Sequence, residues 1–164
     1  MSPNDALPVA SQLCLALMRV GTRMSARFDV RFAPHDLTQA QFRALLGVWQ
    51  MGQGDGAVTP SALADFLLIE RPTATALVAK LVNRGLLVRV PAPGDRRSHT
   101  LHLTQSGGEL LQSAGEAATR LGEKTTASFG EAEQVMFLQL LTRMEEHLRR
   151  IDDETSGLSE VRDG

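Results

Sequence analysis

The chain has 164 residues, 43% hydrophobic and 22% charged, with a formal net charge of -2. That length suits one domain able to bury a sizeable core, and the apolar fraction excludes a disordered chain. One cysteine, Cys14, excludes an intramolecular disulfide framework and a cysteine-rich zinc site, and the longest early apolar run, Leu13 to Met18, is too short to cross a bilayer. No basic segment precedes that run, so a signal peptide is not expected, and the chain reads as a soluble cytoplasmic protein with no membrane partner.

The first predicted helix covers residues 8–32. Leu13, Leu17, Val20, Met24 and Phe28 recur at steps of four, three, four and four, which places them on one face, and Pro34 closes the segment. Thr38-Gln39-Ala40-Gln41 has the pattern of a capping box, followed by a stripe of Phe42, Leu45, Leu46 and Trp49 expected to be buried. The cluster Gly52-Gln53-Gly54-Asp55-Gly56 ends this helix in a loop. Thr59 as N-cap and Pro60 at the first helical position start a short helix carrying Leu63, Ala64 and Leu67. After a turn at Ile69-Glu70-Arg71, Pro72 opens another helix, and Gly85 stands where a left-handed stop is required. Two short helices joined by a tight turn make a helix-turn-helix candidate.

From residue 86 the texture becomes β-compatible. Leu86 to Val90 and His99 to Leu103 read as strands of a hairpin whose loop is Pro91 to Ser98. Thr104 then caps a long helix with Leu110, Leu111, Ala114, Ala118 and Leu121, and Ser128 with Glu131 matches a second capping box. The last helix carries Val135, Leu138, Leu141, Met144, Leu148 and Ile151, widened by Phe137 and Leu140, a stripe broad enough for more than one partner face. From Asp152 the acidic tail is expected to fray.

Charge is unevenly distributed. Residues 71–103 contain six Lys or Arg against Asp95 alone, a net +5, whereas residues 1–70 carry -1 and residues 104–164 carry -6. A basic stretch in an acidic chain suits phosphate binding, because local cation density drives it, although a solvated basic face gives the same count.

A helix-turn-helix followed by a hairpin is a winged helix. The segments Leu86-Leu87-Val88-Arg89, Gly94-Asp95-Arg96-Arg97-Ser98 and Leu103-Thr104-Gln105-Ser106-Gly107 resemble the signature of the MarR (multiple antibiotic resistance regulator) transcription factors. Ile69-Glu70-Arg71-Pro72-Thr73 is similar to the start of the recognition helix in the SlyA-like branch. The resemblance spans residues 8–150. It implies a mainly α fold of about six helices with a small wing, in a single domain over residues 1–164. Residues 8–35 and 106–151 would supply homodimerisation helices, and residues 38–103 the DNA-binding lobe. A repressor bound to a palindromic operator and released by a small-molecule effector is the implied function.

Residue chemistry supplies the details. Ala74, Leu77, Val78 and Leu81 form the inward face of the helix after Pro72, leaving Thr73, Ala76, Lys80 and Asn83 outward. The free N–H groups at its start favour phosphate, with Arg71, Pro72, Thr73 and Thr75 leading into the major groove of double-stranded DNA. Capping and surface solvation are the alternative roles for Thr73 and Thr75. Many relatives carry a basic residue at the position of Ala76, and a methyl group cannot replace its base contact. Arg96 and Arg97 at the wing tip are expected to enter a minor groove, with Asp95 as a buttress holding Arg97. Lys80, Arg84 and Arg89 could touch phosphates or cover apolar surface with their stems.

Enzymatic readings find no support. The sequence has no nucleophile elbow, P-loop or dinucleotide fingerprint, and His99 and His102 lie on opposite faces of a strand, so no cofactor and no metal are expected. Gln12-Leu13-Cys14 resembles the start of the organic-hydroperoxide-resistance regulators of the same family, in which the helix-one cysteine is peroxide-reactive. Phe28 and Gln39 stand where those proteins have tyrosines, so Cys14, Phe28 and Gln39 form a candidate redox or effector pocket, set against Cys14 as a small buried hydrophobe of the dimer helix. A thiol-based peroxide sensor and a winged-helix protein-interaction module are the two alternative functions.

Overall fold

The computed structural model describes residues 7–54, 56–92 and 95–160, with the side chains of residues 92, 95–98 and 153–160 outside the description. Its elements are α1 (Val9–Phe32), a 3-10 turn (Ala33–His35), α2 (Gln39–Met51), α3 (Pro60–Leu67), α4 (Arg71–Asn83), β1 (Leu87–Ala92), β2 (Asp95–Leu103), α5 (Gln105–Thr126) and α6 (Glu131–Glu160). Contacts divide the chain into two compact units, one up to Leu121 and one from Gly122.

In the first unit local sequence signals act as expected. The capping box at α2 is complete: Thr38 Oγ1 accepts from the Gln41 N–H at 3.2 Å, and Gln41 Oε1 accepts from the Thr38 N–H at 3.0 Å. Thr59 Oγ1 accepts from the Ala62 N–H at 3.1 Å, with Pro60 filling the first turn of α3. The core gathers Phe42, Leu45 and Val48 of α2, Leu63 and Leu67 of α3, Val78 and Leu81 of α4, and Leu87 and Leu101 of the hairpin. Phe32 enters from the end of α1, its ring 4.4 Å from that of Phe42.

In α1 only Phe32 is buried, Phe28 packs partly against the core, and Leu13 and Val20 toward its start are each 54% exposed. One expectation about burial needs correction: Trp49 is 48% exposed, while its neighbours Val48 and Met51 in the last turn of α2 pack on the core.

The hairpin is antiparallel and longer than expected. Pairing runs from Leu87 with Leu103 to Pro91 with His99, then shifts so that Ala92 faces Asp95. The predicted loop over residues 91–98 is therefore largely strand, with Pro93 and Gly94 outside the described residues. Pro91 is tolerated because a two-stranded ribbon consists only of edge strands, where a missing N–H removes no essential bond. The wing base is fastened by the Leu101 N–H donating to the Val58 carbonyl at 2.7 Å, ahead of α3.

Gly85 ends α4 with φ +68°, the left-handed stop that glycine adopts without strain. Thr104 caps α5 by accepting from the Gly107 N–H at 3.0 Å, while its hydroxyl donates to the Gly85 carbonyl at 2.6 Å. One hydroxyl thus joins the ends of α4 and the hairpin to the start of α5.

In the second unit the capping assignment shifts by two residues. Glu133 Oε2 accepts from the Gly130 N–H at 2.8 Å, so Gly130 and Glu133 form the reciprocal half of a box in place of Ser128 and Glu131. Helix α6 runs from Glu131 to Glu160. No proline interrupts that stretch, and one internal glycine costs only about 1 kcal/mol. Val135, Met136, Leu138 and Leu148 of α6 are at least half exposed.

Candidate nucleic-acid interface

Helix α4 is oriented by its apolar side. Ala74, Val78 and Leu81 are fully buried, which leaves Thr73, Ala76, Lys80 and Asn83 exposed on the opposite face. Arg71 and Pro72 are exposed at its first turn. Glu70, the N-cap, makes no side-chain capping bond, so the N–H groups of Arg71 and Thr73 stand uncapped there. Pro72 has no N–H to leave unsatisfied. A short polar face beside uncapped donors can accept a phosphate and approach base edges closely. Lys80 shares the face of Thr73, about 10 Å further along the axis at 1.5 Å per residue.

Two further residues have intramolecular roles. The Thr75 hydroxyl donates to the Arg71 carbonyl at 2.9 Å, which commits its proton to the helix backbone. Arg84 is held by Asp36, with an ion pair at 3.1 Å and a hydrogen bond to the Asp36 carbonyl at 2.6 Å. Arg89 is exposed on β1.

Asp95, Arg96 and Arg97 occupy the first positions of β2, so the two arginines stand in strand and not in a loop tip. Arg96, Arg97 and Ser98 are the residues inserted where the register shifts, between the Asp95 and His99 pairings. An insertion of this kind bends a strand and re-aims its side chains. The expected bond between Asp95 and Arg97 lies outside the described residues.

The residues Cys14, Phe28 and Gln39 do not form one pocket within the chain. Cys14 is exposed, not buried, because its part of α1 is uncovered in its own unit. Phe28 lies 14 residues on, about 21 Å along the same helix. There it stacks on Phe32 at 5.5 Å, while the Gln39 N–H donates to Asp29 Oδ1 at 2.7 Å. The histidines of β2 also stay apart: His102 Nε2 lies 2.9 Å from Thr100 Oγ1, on the face opposite His99. Among the described residues no group of three or more His, Cys, Asp or Glu could hold a metal.

Sequence reasoning missed the partnership of Arg84 with Asp36, 48 residues apart, for which no local pattern exists. It also missed a cleft of about 190 Å³ lined by Val48, Trp49, Gly52, Gln53 and Leu101 to Leu103, since Trp49 was assigned to the core.

A helix-turn-helix, a two-stranded wing, and long helices before and after them define a winged-helix DNA-binding class of protein. Residues 35–98 match the MarR family. The HTH-type transcriptional repressor NicR of Pseudomonas putida is 30% identical over 145 residues, which cover 87% of this chain and 89% of NicR. The transcriptional repressor CouR, solved bound to a 23-mer DNA duplex, is 33% identical with a TM-score of 0.73, covering 84% of this chain and 94% of CouR. BpsR of Bordetella bronchiseptica, solved to explain regulation of its DNA binding by 6-hydroxynicotinic acid, is 27% identical with a TM-score of 0.72, covering 82% of this chain and 98% of BpsR. The chain belongs to the MarR family, whose members are transcriptional regulators and not enzymes. No helix among the described residues is long and apolar enough to cross a membrane.

Proposed function

We propose that this regulator binds a palindromic DNA operator as a homodimer, acts there as a repressor, and is released by a small-molecule effector in the cytoplasm. The observation that carries the reading is the exposed, uncapped start of α4, with Arg71 and Thr73, in a segment of net charge +5. The helix start Ile69-Glu70-Arg71-Pro72-Thr73 follows the SlyA-like pattern, with Pro72 exposed in the first turn. Residues 38–103 form the DNA-binding lobe, with Arg71, Pro72, Thr73, Lys80, Arg96 and Arg97 as its contacts.

Homodimerisation follows from α1 and α6. Both leave large apolar side chains exposed, among them Leu13, Val20, Leu138 and Leu148, more than a helix in water retains without a partner. Residues 8–35 and 106–151 meet a second copy through these faces. Two recognition helices then read half-sites about one turn of DNA apart. An effector acts through unequal affinity for the DNA-competent and incompetent spacings of those helices. The regulation of BpsR by 6-hydroxynicotinic acid supports that part of the reading.

The test is a salt titration of binding to a duplex that the purified chain recovers from a randomised pool. Log affinity should fall linearly with log salt. Salt-insensitive retention, or recovery of no duplex, would leave a protein-interaction module as the function. Sedimentation at micromolar concentration should give twice the 17.8 kDa chain mass, and a monomer would contradict the dimer. The exposure of Cys14 favours one second reading, the peroxide sensor. An organic hydroperoxide would then release DNA from the native protein but not from Cys14→Ser, and equal release would eliminate it.

A further inference from the structure

We infer that Arg84 and Asp36 form a latch that sets the pitch of the recognition helix without touching DNA. This rests on the DNA-binding reading above. Arg84 is the C-cap of α4, and its guanidinium reaches three acceptors near the junction of α1 and α2. Those are Asp36 Oδ2 at 3.1 Å, the Asp36 carbonyl at 2.6 Å and Gln41 Oε1 at 3.5 Å.

The receiving side is built to stay still. Asp36 sits in the left-handed region at φ 51° and closes the 3-10 turn by donating its N–H to the Ala33 carbonyl at 2.9 Å. The Leu37 N–H returns to the Phe32 carbonyl at 3.3 Å, and Leu37 itself is buried. Gln41 is fixed as the reciprocal partner of Thr38 in the α2 capping box. A single arginine therefore ties the end of α4 to the end of α1 and the start of α2.

Leverage gives the latch its consequence. Arg71 lies about 20 Å from Arg84 along α4 at 1.5 Å per residue. A tilt of about 5° at the latched end moves the leading residues by roughly 1.7 Å, beyond the roughly 0.5 Å within which a contact constellation works. Within the first two turns of α4 the core contacts are Ala74, fully buried, and Leu77, partly buried, so the larger fully buried side chains, Val78 and Leu81, lie toward the latched end.

Electrostatics makes the inference separable from a phosphate contact. Asp36 is an exposed acid on the unit that carries the basic segment, and its removal alone should strengthen DNA binding. The latch requires the opposite sign. Asp36→Asn keeps a residue that tolerates the left-handed region, and it should weaken binding to the recovered duplex roughly two- to fivefold. Arg84→Ala should weaken it roughly five- to tenfold, with the slope of log affinity against log salt unchanged because no phosphate contact is lost. The double variant should bind no worse than Arg84→Ala, as expected for partners in one interaction.

Thermal unfolding of each variant checks that the folded fraction is equal in the binding assays. Unchanged affinity in Arg84→Ala, a salt slope reduced by about one, or tighter binding by Asp36→Asn would each overturn the latch while the native protein still binds DNA. Failure of the native protein to bind the duplex in a salt-dependent way would overturn the DNA-binding reading and the latch together.

Discussion

Gly107, the last residue of the Leu103-Thr104-Gln105-Ser106-Gly107 segment, lies in the first turn of α5 against the backbone of Leu86. A Cβ built on it would overlap the Leu86 carbonyl oxygen, stand 3.0 Å from the Leu86 carbonyl carbon and 3.2 Å from Leu103 Cδ2. Neither carbonyl atom can yield by a rotamer change, because Leu86 is held on both sides: its N–H donates to the Leu81 carbonyl at 2.9 Å and its carbonyl accepts from the Thr104 N–H at 3.2 Å. Gly107→Ala must therefore push α5 away from the end of α4, at an overpacking cost of about 1–3 kcal/mol. Its neighbour is the internal control, since a Cβ at Gly108 meets nothing within 4 Å. Gly108→Ala should stabilise the chain by about 0.5–1 kcal/mol through helix propensity alone. Two adjacent, chemically identical substitutions in one helix should thus have opposite signs. Chemical denaturation at fixed protein concentration measures both, and a Gly107→Ala variant as stable as the native chain would refute the close-approach reasoning.

Three further outcomes can be checked. Leu68 holds φ 56° with its side chain 68% exposed, so Leu68→Gly should raise stability by about 0.5–1 kcal/mol by removing left-handed strain; destabilisation in the same denaturation assay would contradict this. Thr104→Val removes both the cap of α5 and the bond to the Gly85 carbonyl, and should cost about 1–2 kcal/mol, an expectation that an unchanged thermal midpoint would defeat. Arg97→Ala should cost about 1–3 kcal/mol of DNA binding and lower the salt slope by about one, whereas an unchanged affinity would remove the wing from the interface.

Local chemistry made most of the first unit legible. The capping box at Thr38 and Gln41, the Thr59-Pro60 start and the left-handed Gly85 each depend on residues within a few positions of one another, so their patterns survive in the linear chain. The inward face of α4 was readable for the same reason, because a period of 3.6 residues sorts Ala74, Val78 and Leu81 from Thr73 and Lys80 whatever the helix packs against. Hairpin length was less legible. Pro91 signals a turn in a central strand but not in an edge strand, and only the pairing distinguishes the two.

From residues alone came the six helices, the wing, the basic segment and the direction in which α4 presents its polar side. Folding decided matters that depend on distance through space: that Arg84 serves Asp36, that Thr75 turns back on its helix, that Trp49 lies at a cleft, and that Cys14 stands well away from Phe28. Periodicity and capping are short-range and leave a trace in sequence. Partnerships across 48 residues arise only when separate elements are brought together.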